Sequence, residues 1–128
     1  MTVKPETKFG RLLMKNIDAH LERFETYGKV GVPDLYGIRK GRVIWAELKC
    51  IKQNSISLSP FQISWNYNNF QRGGKNYYIV QDARSKVIKL YRGDKGRELK
   101  ELGFKCPCSL QLKPPTDWKR LEDYLFGP

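Results

Sequence analysis

Apolar residues recur at three- and four-residue spacings after Pro5: Phe9, Leu12, Leu13, Ile17, Leu21 and Phe24 share one face of "ETKFGRLLMKNIDAHLERF". That period predicts an amphipathic helix over about 5–24, and Pro5 suits its first position, where the missing N–H has no helical partner to lose. Two β-rich runs follow at about 35–38 and 43–50, with Arg39-Lys40-Gly41-Arg42 between them as a hairpin turn. "SPFQISWNYNNFQRGGK" predicts a second helix, in which Ser59 is the N-cap and Pro60 sits at N1. Ile63, Tyr67 and Phe70 share one of its faces, and Gly73-Gly74 stops it. "NYYIV" and "KVIKLY" make a second hairpin about Asp82-Ala83-Arg84-Ser85. After "RGDKGRELKELGF", the proline-rich "KCPCSLQLKPPTD" reads as a connector, and a last helix runs from a Thr116 cap through Trp118, Leu121 and Leu125.

Helix, two strands, helix, two strands and helical ends predict an α/β fold, a small mixed sheet with helices packed on it. The 128 residues are expected to form one domain, 1–128, with room for a real core. No internal repeat, low-complexity tract or interdomain linker interrupts them. A 40% hydrophobic content argues against disorder, and no run approaches the eighteen or so apolar residues that span a bilayer. The N-terminus lacks the basic-then-apolar order of a secretory signal, so the expected location is the cytoplasm, a host's cytoplasm if the chain is viral. Cys50, Cys106 and Cys108 are an odd set without that signal, and with His20 alone they lack the paired spacings of a zinc site. They are read as reduced thiols.

Charge changes the picture more. Twenty-four Lys and Arg against thirteen Asp and Glu leave +11, a strong positive field for 15 kDa. The charge recurs along the chain, at Lys15, "RKGR" at 39–42, Arg72 with Lys75, "RGDKGR" at 92–97 and "KR" at 119–120. A folded basic face points to a polyanion, and nucleic acid suits it better than a membrane because no basic amphipathic helix stands out.

The first hairpin then poses a problem in "GVPDLYGIRKGRVIWAELK". Side chains alternate along a strand, so Ile44, Ala46, Leu48 and Cys50 make one apolar face, while Val43, Trp45, Glu47 and Lys49 make the other. Folding about Lys40-Gly41 gives a register in which paired positions sum to 81, which sets Asp34 opposite Glu47. Cross-strand partners lie about 5 Å apart, and like charges there repel; two such carboxylates favour a shared proton or a bound cation. An ordinary ion pair, with Lys49 bridging two surface acids, is one reading. The other is a hard divalent cation held by the two acids, with Lys49 placed to orient a water or neutralise developing charge.

"GVPDLYG", the hairpin, "AELK" and "LSPFQISW" together resemble the PD-(D/E)XK nucleases, whose pattern is an Asp after Pro, a strand with Glu-x-Lys, and a helix bearing Gln. Within that superfamily the chain is most similar to virus-type replication-repair (VRR-NUC) domains and to phage or archaeal Holliday-junction resolvases. The resemblance spans about residues 6 to 80 and does not reach the remainder. It implies a restriction-endonuclease-like core, a mixed sheet flanked by helices, that hydrolyses DNA with one or two Mg²⁺ or Mn²⁺ ions. Carried onto this chain, Asp34 and Glu47 would hold metal, with Leu48 beside them in the metal shell, and Lys49 would be the catalytic lysine. Gln62 would help position the site, although Ser59-Pro60-Phe61-Gln62 also has the form of a capping box. A further glutamate from the first helix would be Glu6, whose other reading is a favourable charge at a helix N-terminus, or else Glu25. Arg23 would lie near the phosphate, with Arg39, Lys40, Arg42, Lys52, Arg72 and Lys75 contacting DNA. His20 and Trp65 read as structural. The implied partner is duplex or branched DNA, and small relatives of this kind often act as homodimers. A nicking or flap-type nuclease, and a catalytically silent DNA-binding module, are the alternatives.

Overall fold

The computed structural model describes residues 3–24 and 31–128. Among these, six strands form one mixed sheet in the order β1-β2-β3-β4-β5-β6, antiparallel throughout except where β3 and β4 run parallel.

Helix α1, Pro5–Asn16, does start at Pro5, but it stops short of the predicted end. Ile17 is already extended (φ −103°, ψ 126°), and the Asp18 N–H donates to Glu122 Oε1 at 2.6 Å, from the far end of the chain. His20–Arg23 then forms strand β1, pairing antiparallel with β2 (Leu35–Arg39). So Leu21 and Phe24 are not on a helical face. The "HLER" segment alternates exposed and half-buried positions, and that two-residue period, satisfied by a partner strand, overrides the helical spacing.

The first hairpin forms as read. Leu35 pairs with Ala46 and Arg39 with Arg42, so paired positions sum to 81, and β3 extends over Arg42–Ile51. From there the chain crosses through α2, Pro60–Gln71, to β4, Asn76–Asp82, which a parallel neighbour requires. Ser59 caps α2; of the predicted apolar face Ile63 packs on the sheet and Tyr67 is exposed, while the helix's fully buried residue is Asn66. Strand β5, Ile88–Arg92, completes the second hairpin and leads to α3, Gly96–Leu102. The expected connector contains a sixth strand, β6 (Leu110–Leu112), because Leu110 and Leu112 alternate with exposed Gln111 and pair with β5. Helix α4, Trp118–Phe126, takes its cap from Asp117, whose side chain accepts from the Arg120 N–H; Thr116 does not cap it.

Two cores result, one on each side of the sheet. Ile44, Ala46 and Leu48 pack with Phe9 and Leu13 of α1 and Leu121 and Leu125 of α4. Val80, Tyr78 and Tyr91 pack on the other side with Leu99 of α3 and Ile63 of α2. Glu47 faces this second side, beside Tyr78 in the β3–β4 register. The three cysteines are free thiols, and no helix of the described residues is long and apolar enough to cross a membrane.

Candidate metal and active site

β2 begins at Leu35, whereas β3 runs on past Ala46, so the sheet splits and leaves backbone groups of β3 without strand partners. Side chains fill the split. Asp34 Oδ1 accepts the Leu48 N–H at 2.9 Å, and Glu6 Oε2, from the first turn of α1, accepts the Cys50 N–H at 3.0 Å. The Asp34 carbonyl is fixed in turn by the Phe24 N–H at 2.8 Å. In a strand the N–H and C=O of one residue point to the same edge, so the Leu48 carbonyl faces the side on which Asp34 sits.

Glu47 is 4% exposed. Its Oε1 accepts from Gln62 Nε2 at 3.3 Å, while Gln62 Oε1 accepts the Ser59 N–H at 2.9 Å and Ser59 Oγ accepts the Gln62 N–H at 3.1 Å. Gln62 therefore closes a capping box and also turns its amide toward Glu47. Burial, and after it the charge of Asp34, push the Glu47 carboxyl up to about 8; Lys49 and Arg23 pull the other way. Burial likewise raises Asp34, against the pull of the Leu48 N–H and Arg23.

Arg23 Nη2 lies 3.6 Å from Asp34 Oδ2, and its Nη1 donates to Thr7 Oγ1 at 2.8 Å. Its Nε is buried and has no hydrogen-bond partner among the described residues. Gly10 makes room for this side chain, since a Cβ there would stand 2.8 Å from Arg23 Cδ. Together Glu6, Arg23, Asp34, Glu47, Lys49 and Gln62 line one cleft of about 340 Å³, which Lys4, Thr7 and Phe24 also border.

The other basic residues are not gathered there. Arg39 and Arg42 stand at the hairpin tip, some 17 Å of strand from Glu47. Arg39 reaches Glu122 (3.3 Å) and the Gly127 carbonyl, and Arg42 donates to the Phe126 carbonyl at 2.7 Å, so both anchor the end of α4. Lys40 is exposed at the same tip. Arg72 and Lys75 are exposed where α2 ends and β4 begins, level with Trp45 and away from the acids. Lys52 is exposed just past β3, at the site's end of the sheet. Glu25 lies outside the described residues. Sequence reasoning missed Thr7, Lys4, Phe24 and Gly10; only Gly10 carried a signal, since a glycine within a helical pattern points to a close approach.

Among the described residues, no three His, Cys, Asp or Glu side chains gather as a metal cage. The donor set still fits a hard divalent cation, which takes one or two carboxylates and keeps several waters: buried Glu47 and half-buried Asp34, of unfavourable mutual charge, and a backbone carbonyl on the same edge. Glu6 stands in the same cleft with one oxygen on the Cys50 N–H, as Asp34 has one on the Leu48 N–H.

No family model matches the chain, and no curated protein matches it. Among solved structures, the chain is similar to Hjc of Archaeoglobus fulgidus, a Holliday junction resolvase from an archaeal hyperthermophile. The TM-score is 0.54 at 17% identity, over 70% of this chain and 74% of that one. The fold is restriction-endonuclease-like. At this identity the likeness speaks for architecture, and the chemistry rests on the residues in the cleft.

Proposed function

We propose that the chain is a metal-dependent endonuclease that hydrolyses DNA phosphodiesters, with branched DNA as its preferred substrate. One observation carries the reading: buried Glu47 and half-buried Asp34 line one cleft at the split between β2 and β3, close enough for the Asp34 charge to raise the Glu47 carboxyl, with Lys49 and Arg23 in the same cleft. A buried carboxylate with a second one near it is costly unless something compensates it, and a divalent cation supplies what the two partial counter-charges do not. Asp34, Glu47 and the Leu48 carbonyl would hold one or two Mg²⁺ or Mn²⁺ ions, with Glu6 in the same cleft. When bound, the metal polarises the scissile phosphate and makes a water more acidic. Gln62 keeps Glu47 in its rotamer, Arg23 holds Asp34 and offers positive charge to the phosphate, and Lys49 orients the attacking water and neutralises charge building on the phosphate.

The +11 charge supports the polyanion, with Lys4 at the rim of the cleft and Lys52 just past β3 as contacts to flanking phosphates. The branched preference and a homodimeric state follow the similarity to a resolvase and a symmetric enzyme's need to cut two strands. The test offers linear, flapped and four-way DNA with Mg²⁺, with EDTA controls. Cleavage is expected on the branched substrates, lost in Asp34→Asn and Glu47→Gln while DNA binding persists. Binding without divalent-dependent product on any of the three would leave a silent DNA-binding module instead.

A further inference from the structure

Between α2 and β4 lies a run of buried amides that the chemistry above does not use. Asn66 and Asn76 are both fully buried. Asn69 donates to the Asn76 side-chain oxygen, Asn76 Nδ2 donates to Asn66 Oδ1 at 2.9 Å, and Asn66 Nδ2 donates to the Gln62 carbonyl at 2.9 Å. The ladder thus ends on the residue whose side chain touches Glu47. Gly93, where β5 gives way to the next turn, leaves space for it: a Cβ there would stand 2.5 Å from Asn76 Cβ and 3.2 Å from the Asn66 carbonyl oxygen.

Apolar side chains would fill an interface between a helix and a strand without directional demands. A ladder of amides has only one arrangement in which every rung is satisfied, so it fixes how far α2 slides and turns against β4. β4 is the strand beside Glu47, so the strand that anchors the ladder is also the one that positions the carboxylate. Each rung therefore narrows the placement of Gln62 relative to Glu47.

We infer that Asn66 and Asn76, with Asn69 as outer rung, are positioning residues that hold the Gln62 amide on Glu47 and so set the affinity of the site for its divalent cation. This inference rests on the metal-site reading, and it extends that site to residues one and two turns along α2 that touch no ligand. Partners of this indirect kind change metal affinity about tenfold when removed.

The test is a double-mutant cycle on Mn²⁺ affinity, read by the EPR signal of the free ion, with folding checked by circular dichroism. Asn66→Leu and Gln62→Ala are each expected to weaken Mn²⁺ about tenfold, and the double variant no further, because both remove one device. In cleavage, the Mg²⁺ concentration for half activity rises while the rate at saturating Mg²⁺ is largely kept. If Asn66→Leu does not fold, Asn69→Ala removes only the outer rung and is expected to weaken Mn²⁺ about threefold, again without adding to Gln62→Ala. A second readout needs no metal: the Gln62 side-chain NH₂ signal in ¹⁵N spectra is expected to shift and exchange faster in either asparagine variant. Unchanged Mn²⁺ affinity, costs that multiply in the double variant, or an unmoved Gln62 signal would overturn the inference. Wild-type protein that binds no Mn²⁺ would instead sink the metal site, and the Gln62 signal would still decide the ladder.

Discussion

Glu47 sits mid-strand with almost no exposure, and its carboxyl is pushed up to about 8 from an ordinary 4.5. Between those two values the folded chain keeps a proton that the unfolded chain has released, so the metal-free protein loses stability as pH rises from about 4.5 to about 8. Glu47→Gln removes that dependence. Its metal-free unfolding free energy at pH 8 is expected to exceed wild type by on the order of 1–3 kcal/mol, with little difference near pH 5. Mg²⁺, which needs the ionised pair, is expected to raise the wild-type melting temperature more at pH 8 than at pH 5.5; a Mg²⁺ shift independent of pH would contradict the assignment. Gly10 makes a second case at this scale. Alanine is the better helix former by roughly 1 kcal/mol, but its Cβ would press on Arg23 Cδ. Gly10→Ala is therefore expected to leave stability near wild type while cleavage falls about tenfold, through displacement of Arg23 from Asp34. Thermal melts and initial rates on one preparation check both halves.

Helix α2 shows how one element joins folding to chemistry. Ser59→Ala removes the side-chain half of the capping box, at a cost of about 1 kcal/mol, but keeps the backbone N–H that holds Gln62 Oε1, so thermal melts are expected to fall while the Mg²⁺ requirement stays near wild type. A raised Mg²⁺ requirement in this variant would mean that the cap itself positions the site. The same helix shows what was legible in advance. Ser59, Pro60 and the Gly73-Gly74 stop announced its bounds by local chemistry, and the Lys40-Gly41 turn set the hairpin register, which is paired as far as Leu35 and Ala46, one position short of Asp34 and Glu47. Tertiary partners decided the rest. Helix α1 ends where Glu122, more than a hundred residues away, takes the Asp18 N–H, so no local pattern could place β1. β6 is three residues long and depends on β5 for its hydrogen bonds. Arg39 and Arg42 looked like a DNA-contacting turn because sequence shows their charge and hides the end of α4 that consumes it.

At the scale of the whole molecule, the basic charge divides between structural anchors and groups free to meet a polyanion. Lys4 borders the cleft and Lys52 stands just past β3, whereas Lys40 projects from the distant hairpin tip. Lys4→Ala is expected to weaken DNA binding and to lower the salt slope of log Kd by about one, and Lys40→Ala to change neither, both read by fluorescence anisotropy from low to moderate salt. Equal effects from the two would place the DNA elsewhere on the surface. The fold supplies two helix-covered cores and, where its sheet splits, one gap closed by carboxylates instead of by a strand. Whether that gap holds a cation is the central question, and a Mn²⁺ titration of the purified protein answers it most directly. Saturable binding at one or two sites is expected for wild type, with loss of at least one of them in Asp34→Asn and in Glu47→Gln, each still folded. Mn²⁺ binding that survives both substitutions unchanged, or none in the wild type, would contradict the account.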